Sequence, residues 1–185
     1  MFRRLYSSKV VDYISLFPNS IKKNNAIDVF RLNTKNLRKE YRQLQSISHP
    51  DLNSNKDEQS SIINKAYKTL NDPLSRSQYI LLKYSGIDLI NDTIGKSMQF
   101  EDKEMLMEMM EIHEQLESIV NEDDVNKLKD ENNLRINELI NKLDECYEKN
   151  DWDLAAITTI RLKYAYNIKN ALKEWEISKP IALTH

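Results

Sequence analysis

The scarcity of glycine is the feature that most limits how this chain can fold. Only two glycines occur among its 185 residues, together with four prolines. Hairpin-rich folds, and loops that cradle phosphate groups, need repeated backbone positions with positive φ angles, which glycine adopts most readily. The composition therefore disfavours hairpin-rich barrels and glycine-rich nucleotide loops, and it predicts a mostly helical protein.

Cysteine content and hydropathy narrow the class of protein further. The single cysteine, Cys146, excludes an intramolecular disulfide and a thiolate-rich metal or cluster site within one chain. Hydrophobic residues make up 40% of the sequence and charged residues 30%, which is typical of a folded globular domain rather than a disordered chain. No run of about 18 apolar residues occurs, so no transmembrane helix is predicted.

The net charge of −2 conceals two oppositely charged halves. Residues 1–86 contain 15 basic and 7 acidic residues, a net charge of +8, whereas residues 87–185 carry a net charge of −10. A division of this kind suggests two modules with different partners. We place the first module at residues 10–86, a linker at 87–100 and the second module at 101–178.

The first module is predicted to contain a helical hairpin. Apolar side chains recur at helical spacing over residues 35–47 and again from Asp57 onward, which favours two amphipathic helices that pack against each other. The polar loop between them begins with His49-Pro50-Asp51, because proline disfavours helical dihedrals in the residue before it. The two predicted core faces consist of Leu37, Tyr41 and Leu44, and of Ile62, Ile63, Ala66, Tyr67 and Leu70.

Shorter elements flank this hairpin. A short apolar segment over residues 10–17 precedes it, and the polar run over 19–25 indicates a loop. Asp72 is suited to cap a further helix, with Pro73 at its first position, where the missing N–H group costs nothing. That helix should run to about Tyr84 and end with Gly86 in a left-handed conformation.

The acidic second half predicts an antiparallel three-helix bundle, so the whole chain is expected to be all-α. Helical patterns cover residues 101–120, 123–148 and 151–176, and the short connections between them force antiparallel neighbours. The predicted core face of the first helix consists of Met105, Met109, Ile112, Leu116, Ile119 and Val120. That of the last helix consists of Ile157, Ile160, Tyr164, Ile168, Ala171 and Trp175.

The combination of motifs in the first module resembles the J domain of the DnaJ co-chaperone family. The match spans about residues 10–86 and includes a short first helix at 13–17, the basic helix that leads into His-Pro-Asp, and the segments 66–70 and 72–79. The resemblance implies a protein that docks on a 70-kDa heat-shock chaperone of the DnaK type and stimulates its ATP hydrolysis. The ATPase belongs to the partner, so this chain is not expected to be an enzyme.

The residues expected to contact that chaperone form a basic stripe and the loop that follows it. They are Lys35, Arg38, Lys39 and Arg42 on the helix, and His49, Pro50 and Asp51 in the loop. Cationic side chains attract an acidic surface over long range, Asp51 can accept a bidentate pair from an arginine, and Pro50 stiffens the loop. Nucleic acid is the other target of such a stripe, but the acidic chain and the lack of aromatic residues on that face argue against it.

A second resemblance narrows the family. The segment 76–82, the run Gly86-Ile87-Asp88-Leu89 and the acidic bundle together are similar to the HscB type of J protein. That type works in iron–sulfur cluster biogenesis and presents the cluster scaffold protein to a dedicated chaperone. Residues 1–9 are basic and free of acids, which is the bias of a mitochondrial transit segment and equally of a frayed basic terminus. The resemblance favours the transit segment, so the mitochondrial matrix is the expected location.

The same resemblance implies that the bundle binds the scaffold. The positions that match the family's scaffold-contact motif are Met105, Leu106, Met110, Glu111 and Glu114 on the first bundle helix, and Ile160 and Tyr164 on the last. Periodicity places Leu106 and Met110 to one side of the core stripe, where a wide apolar face would also account for them. Helical phase places Ile160 and Tyr164 on the core stripe, so their role rests on the resemblance.

A second function stays open at this point. The bundle could be a dimerisation element in a J protein that delivers unfolded or other clients. No metal, cofactor or membrane partner is expected. Gly95-Lys96-Ser97 lacks the earlier glycine and the strand of a phosphate-binding loop, and the three histidines are not at metal-ligand spacing.

Overall fold

Helices are the only regular elements in the part of the chain that the computed structural model describes, which is residues 12–47, 55–90 and 103–175. After a 3-10 turn over Ile14–Leu16, they are α1 (Ala26–Phe30), α2 (Thr34–Ile47), α3 (Asn55–Asn71), α4 (Pro73–Ile80, continued by a π-helical turn over Leu81–Ser85), α5 (Lys103–Glu117), α6 (Glu122–Lys149) and α7 (Trp152–Lys173). This order confirms the predicted all-α fold. The predicted transit segment, the His49-Pro50-Asp51 loop and most of the predicted linker lie outside the described residues.

The helices α2 and α3 form the predicted hairpin. Leu37 on α2 is fully buried, and the rings of Tyr41 and Tyr67 stack across the pair with their centroids 4.0 Å apart. The Tyr41 hydroxyl also donates a hydrogen bond of 2.6 Å to Asn64 Oδ1. The prediction for Ile62 is wrong, because 38% of this residue is exposed. It lies at the edge of the apolar face of α3 rather than within it.

The short helix α1 is absent from the elements predicted from the sequence. Its N-cap is Asn25, whose side chain accepts a hydrogen bond of 2.9 Å from the backbone N–H of Asp28. Val29 and Phe30 are buried, so α1 contributes to the core. A helix of five residues spans little more than one turn and therefore has no hydrophobic period that a sequence can display.

The start and the end of α4 agree with the prediction. The Asp72 carboxylate caps the helix by accepting a hydrogen bond of 2.8 Å from the backbone N–H of Ser75, and Pro73 occupies the first turn. After the π-helical turn, Gly86 adopts the expected left-handed conformation, with φ of 78°. An L residue with a side chain would be strained at this angle.

Arg76 links three helices from inside the core. Its guanidinium donates hydrogen bonds of 2.6 Å to the carbonyl oxygens of Leu70, near the end of α3, and of Phe30, at the end of α1. Burial lowers the pKa of Arg76 to about 10. This arginine of the 76–82 motif therefore satisfies helix-terminal carbonyls that would otherwise lack donors.

Helices α5, α6 and α7 form the predicted bundle. Asn121 and Asp151 cap α6 and α7 by accepting hydrogen bonds of 2.9 and 3.1 Å from backbone N–H groups in the first turn. Between these helices Asn150 takes a left-handed conformation with φ of 54°, which allows the chain to reverse direction. One small core of the bundle consists of Ile112, Leu116, Val125, Leu128, Ile168 and Leu172.

One core prediction for the bundle is wrong, and the predicted core face of α7 is displaced around the helix. Val120 lies beyond the end of α5 and is 77% exposed. On α7, Ile160 and Tyr164 are half-buried and pack against the main core and the small core, respectively. The buried face of α7 consists of Ala155, Ala156, Thr158, Thr159, Leu162, Ala165, Ile168 and Leu172. Alanine and threonine carry little hydrophobic signal, so the larger apolar residues beside them gave the wrong helical phase.

Buried contacts cross from the first half of the chain to the second. The rings of Phe30 and Tyr147 lie 5.0 Å apart, and both residues belong to one hydrophobic core. Ser77 Oγ lies 2.5 Å from the Tyr147 hydroxyl and 2.6 Å from Thr159 Oγ1, so α4, α6 and α7 share a buried hydrogen-bond network. The domain boundary near Gly86 stays a prediction, and the main core extends across it.

Candidate partner-binding surfaces

A row of basic side chains, the α2 stripe, covers the outer face of α2. Its members are Lys35, Arg38, Lys39 and Arg42, and all four are exposed. Among the described residues, none of the four forms an ion pair. Their positive charge is therefore presented to solvent, and their role as a chaperone contact stays a prediction.

Glu40 positions the α2 stripe from beneath. It is only 4% exposed, and its carboxylate accepts hydrogen bonds of 2.6–3.0 Å from the backbone N–H groups and side chains of Asn19 and Ser20. Glu40 therefore fastens the loop before α1 to α2 and is not available to a partner. Glu40 is absent from the site residues predicted from the sequence, where its only signal is a lone acid three positions after Leu37.

The loop expected to stimulate the chaperone connects α2 to α3. His49, Pro50 and Asp51 lie outside the described residues, between the end of α2 at Ile47 and the start of α3 at Asn55. The α2 stripe precedes this loop directly in the chain. The structure therefore supplies the basic helix, and the function of the tripeptide stays a prediction.

A second surface, the α5 surface, combines apolar and acidic side chains. It consists of Leu106, Met107, Met110, Glu111 and Glu114 on α5. Met107 is 60% and Met110 is 66% exposed, unusual values for large apolar residues, and both glutamates are exposed. Met107 is absent from the sequence-predicted set. In the sequence, the only indication that Met107 is exposed is its position off the core stripe of α5.

The remaining predicted scaffold positions are less accessible. Met105 is 2% exposed and lies inside the bundle, whereas Ile160 and Tyr164 on α7 are half-buried. The Tyr164 hydroxyl donates a hydrogen bond of 3.2 Å to the carbonyl oxygen of Met109, and its ring lies 6.4 Å from that of His113. Burial raises the pKa of Tyr164 to about 12. Tyr164 therefore stays neutral at physiological pH at the seam between α5 and α7.

Ion pairs connect α5 to the other two helices of the bundle. Glu108 Oε1 lies 2.9 Å from Arg135 Nε on α6, and Glu108 Oε2 lies 3.9 Å from Arg161 Nη1 on α7. Arg161 Nη2 also lies 3.3 Å from the carboxylate of Glu104. A cleft of about 480 Å³ lies among these residues. The first half of α5 is therefore held by the buried Met105 and by polar contacts around a cleft.

The described residues contain no cluster of three or more metal-binding side chains. Cys146 is buried on α6, and burial raises the pKa of its thiol, which keeps it in the less reactive protonated form. No helix in the described ranges is long and apolar enough to cross a membrane.

Comparison with known proteins adds family information to this geometry. Two family models match the chain, the DnaJ domain over residues 30–79 and the HSCB C-terminal oligomerisation domain over residues 101–173. The chain is 36% identical over 173 residues to the mitochondrial J-type co-chaperone JAC1 of Saccharomyces cerevisiae, an alignment that covers 94% of this chain and 93% of that relative. It is 31% identical over 170 residues to the iron-sulfur cluster co-chaperone protein HscB of Mus musculus, covering 88% of this chain and 68% of that protein.

Solved structures agree over both halves of the molecule. The Jac1 co-chaperone from Saccharomyces cerevisiae superposes with a TM-score of 0.81 at 36% identity, covering 90% of this chain and 98% of the other. The human co-chaperone protein HscB superposes with a TM-score of 0.74 at 28% identity, covering 93% of this chain and 84% of the other. The similarity therefore includes the arrangement of the bundle as well as that of the hairpin.

Proposed function

Because this chain belongs to the HscB and Jac1 family of J-type co-chaperones of iron–sulfur cluster biogenesis, we propose that it recruits a 70-kDa heat-shock chaperone, stimulates its ATP hydrolysis and delivers the cluster scaffold protein to it. The mitochondrial matrix is its proposed location, supported by the mitochondrial names of the JAC1 relatives and by the basic residues 1–9. The observation that carries the proposal is the presence of two unlike surfaces, one basic and one apolar and acidic, on a single helical framework.

The α2 stripe and the loop after it supply the chaperone contact in this proposal. Unpaired lysines and arginines attract an acidic partner surface and raise the rate of encounter. Asp51 then accepts hydrogen bonds from a chaperone arginine, for which a carboxylate is geometrically matched. The bond-breaking step, ATP hydrolysis, takes place in the chaperone, and this chain acts by binding.

The α5 surface supplies the scaffold contact. Exposed methionines adapt their shape to a partner, and burying them removes apolar surface from water. The neighbouring Glu111 and Glu114 select a partner whose contact region is basic. Tyr164 extends the apolar region across the seam to α7.

The first test uses the Asp51→Ala variant. We expect it to lose nearly all stimulation of the chaperone's ATP turnover, with an unchanged helical circular-dichroism spectrum and unchanged affinity for the scaffold. The control is Asp130→Ala, which removes an exposed carboxylate on α6. Undiminished stimulation by Asp51→Ala would refute the proposed chaperone contact.

The second test concerns the scaffold. Met110→Ser should weaken scaffold binding about tenfold, since it removes a large apolar contact worth about 1–3 kcal/mol. Leu134→Ser is a matched control, because Leu134 on α6 is 64% exposed and lies outside the α5 surface. Calorimetry that finds equal affinities for both variants would refute scaffold docking at α5. Self-association of the wild-type chain in light scattering, lost in Met110→Ser, would support a dimerisation function instead.

A further inference from the structure

The cleft beneath α5 contains charged groups that neither proposed surface uses. Its volume of about 480 Å³ falls within the size range of small-ligand sites, roughly 300–1,000 Å³. Its lining comprises the apolar side chains of Met105, Met109, Leu139 and Tyr164, and the charged side chains of Glu108, Arg135, Glu138, Lys142 and Arg161. It therefore combines an apolar wall with a cluster of charges.

Cations exceed carboxylates in this lining, with three basic side chains against two acidic ones. Glu108 already accepts from Arg135 and lies near Arg161, so its negative charge is shared between two guanidinium groups. Glu138 is exposed on α6 and forms no ion pair among the described residues. Arg161 also pairs with Glu104, and Lys142 Nζ lies 3.7 Å from the carboxylate of Glu145, so the charges at the cleft largely balance. A preference for an anion therefore depends on donor groups that these pairs leave over.

One donor in the cleft is left without an acceptor. Arg135 Nη1 is a buried atom with no hydrogen-bond partner in the part of the chain that the structure describes. Arg135 Nε is occupied by Glu108, so the free side of the same guanidinium is Nη1. Buried donors are nearly always paired, because leaving one unpaired costs its full desolvation. Lys142 follows Arg135 by two helical turns and lies on the same face of α6.

We propose that this cleft binds a carboxylate carried on a short aliphatic chain. The carboxylate accepts hydrogen bonds from Arg135 Nη1 and Lys142, and the aliphatic chain packs against Met105, Met109 and Leu139. Such a group can be a free short-chain carboxylic acid or a glutamate beside an aliphatic residue on a bound protein. The chemistry of recognition is the same for both sources.

Hexanoate is the probe for the test, with the full chain labelled at its methionine methyl groups. We expect the NMR signals of Met105 and Met109 to shift on titration, while the exposed Met107 and Met110 serve as internal references. Hexanamide, which has the same chain without the charge, should bind about tenfold more weakly, since hydrogen bonds to ionised groups contribute more than neutral ones. Shifts confined to Met107 and Met110, or no shifts at all, would overturn the proposal.

Variants identify the groups that hold the carboxylate. Arg135→Gln and Lys142→Gln should each reduce hexanoate affinity about tenfold, whereas Lys127→Gln, an exposed position elsewhere on α6, should have no effect. Because Arg135 also pairs with Glu108, Lys142→Gln keeps the test valid if Arg135→Gln fails to fold. Glu138→Gln should strengthen binding, since it removes a carboxylate of the cleft lining that repels a bound anion. Equal affinities across Lys142→Gln, Glu138→Gln and Lys127→Gln would overturn the assignment.

A competition experiment distinguishes the two sources. If a protein-borne glutamate occupies the cleft, scaffold protein will displace hexanoate and return the Met105 and Met109 signals to their free positions. If a free acid occupies it, hexanoate and scaffold will bind together. The hexanoate titration needs neither chaperone nor scaffold. It can therefore fail while the proposed function stands, and the proposed function can fail while hexanoate binds.

Discussion

The α2 stripe and the α5 surface differ in how their helices are held. Beneath α2, Leu37 is fully buried in the main core and Glu40 is fastened by four hydrogen bonds to the preceding loop. The first half of α5 is held by one buried apolar residue, Met105, and by ion pairs beside a cleft, and its second half by a small separate core. A rigid helix suits the presentation of fixed charges, whereas a helix over a cleft can adapt to a partner.

The contrast extends to charge. Opposite charges on two surfaces of one molecule attract different partners and discourage either partner from occupying the wrong site. The overall charge of −2 reveals the local charge of neither surface. The mean charge of a chain therefore says little about partner choice when basic and acidic residues are segregated along it.

The largest expected effect tests whether the two surfaces share one cooperative unit. Leu143 on α6 is fully buried in the core that spans both halves of the chain. Leu143→Ala should lower the free energy of unfolding by about 2–5 kcal/mol in urea denaturation, with a single transition. The exposed Leu134→Ala should change it by less than about 0.5 kcal/mol. Two separate transitions would show that the hairpin and the bundle unfold independently.

A smaller effect is expected at the support of the α2 stripe. Glu40→Ala removes the acceptor of the Asn19 and Ser20 N–H groups and should lower the free energy of unfolding by about 2 kcal/mol. Stimulation of the chaperone should fall while scaffold affinity is kept. Glu131→Ala, an exposed position on α6, is the control. A fall in scaffold affinity equal to the fall in stimulation would contradict separate support for the two surfaces.

The contribution of charge to partner choice is tested with two double variants that neutralise each surface. Arg38→Gln with Arg42→Gln should weaken chaperone binding about tenfold at low salt, and Glu111→Gln with Glu114→Gln should weaken scaffold binding by a similar factor. Both differences should shrink at high ionic strength, because exposed charges are screened. Binding assays of each variant against each partner check the assignment. A double variant that weakens the binding of both partners equally would contradict the assignment of one surface to each partner.

The smallest effect is expected at the surface link between the two halves. Arg31 donates hydrogen bonds of 2.6 and 2.7 Å to both carboxylate oxygens of Asp144, and these bonds raise the pKa of Arg31 above its ordinary value. The pair is exposed, so Arg31→Gln should lower Tm less than Glu40→Ala does, and high salt should remove the difference. If Arg31→Gln lowers Tm more than Glu40→Ala does, the Arg31–Asp144 pair contributes more to stability than an exposed ion pair should.

Much of the fold follows from residues whose signal is local. The hairpin, the Asp72 cap, the left-handed Gly86 and the three bundle helices all follow from periodicity, capping residues and breakers. The short α1 does not, because five residues carry no detectable period. The phase of α7 is also missed, since its buried face is built from alanines and threonines.

The candidate sites likewise contain features that helical spacing predicts and features that it does not. Helical spacing is enough to place the α2 stripe on one exposed face, and it sets Met110 apart from the core of α5. It also predicts the burial of Met105, but it does not reveal that Glu40 fastens a loop or that Arg135 has an unpaired donor. Each of these depends on residues distant in the sequence.

The sequence by itself determines an all-α chain with a basic first half and an acidic second half, because glycine scarcity, helical periodicity and charge are properties of neighbouring residues. Only the tertiary structure decides that Phe30 and Tyr147 belong to one core, and that a cleft with an unpaired guanidinium donor lies beneath α5. Burial and hydrogen-bond partnership arise between segments far apart in the chain. Local patterns do not contain that information.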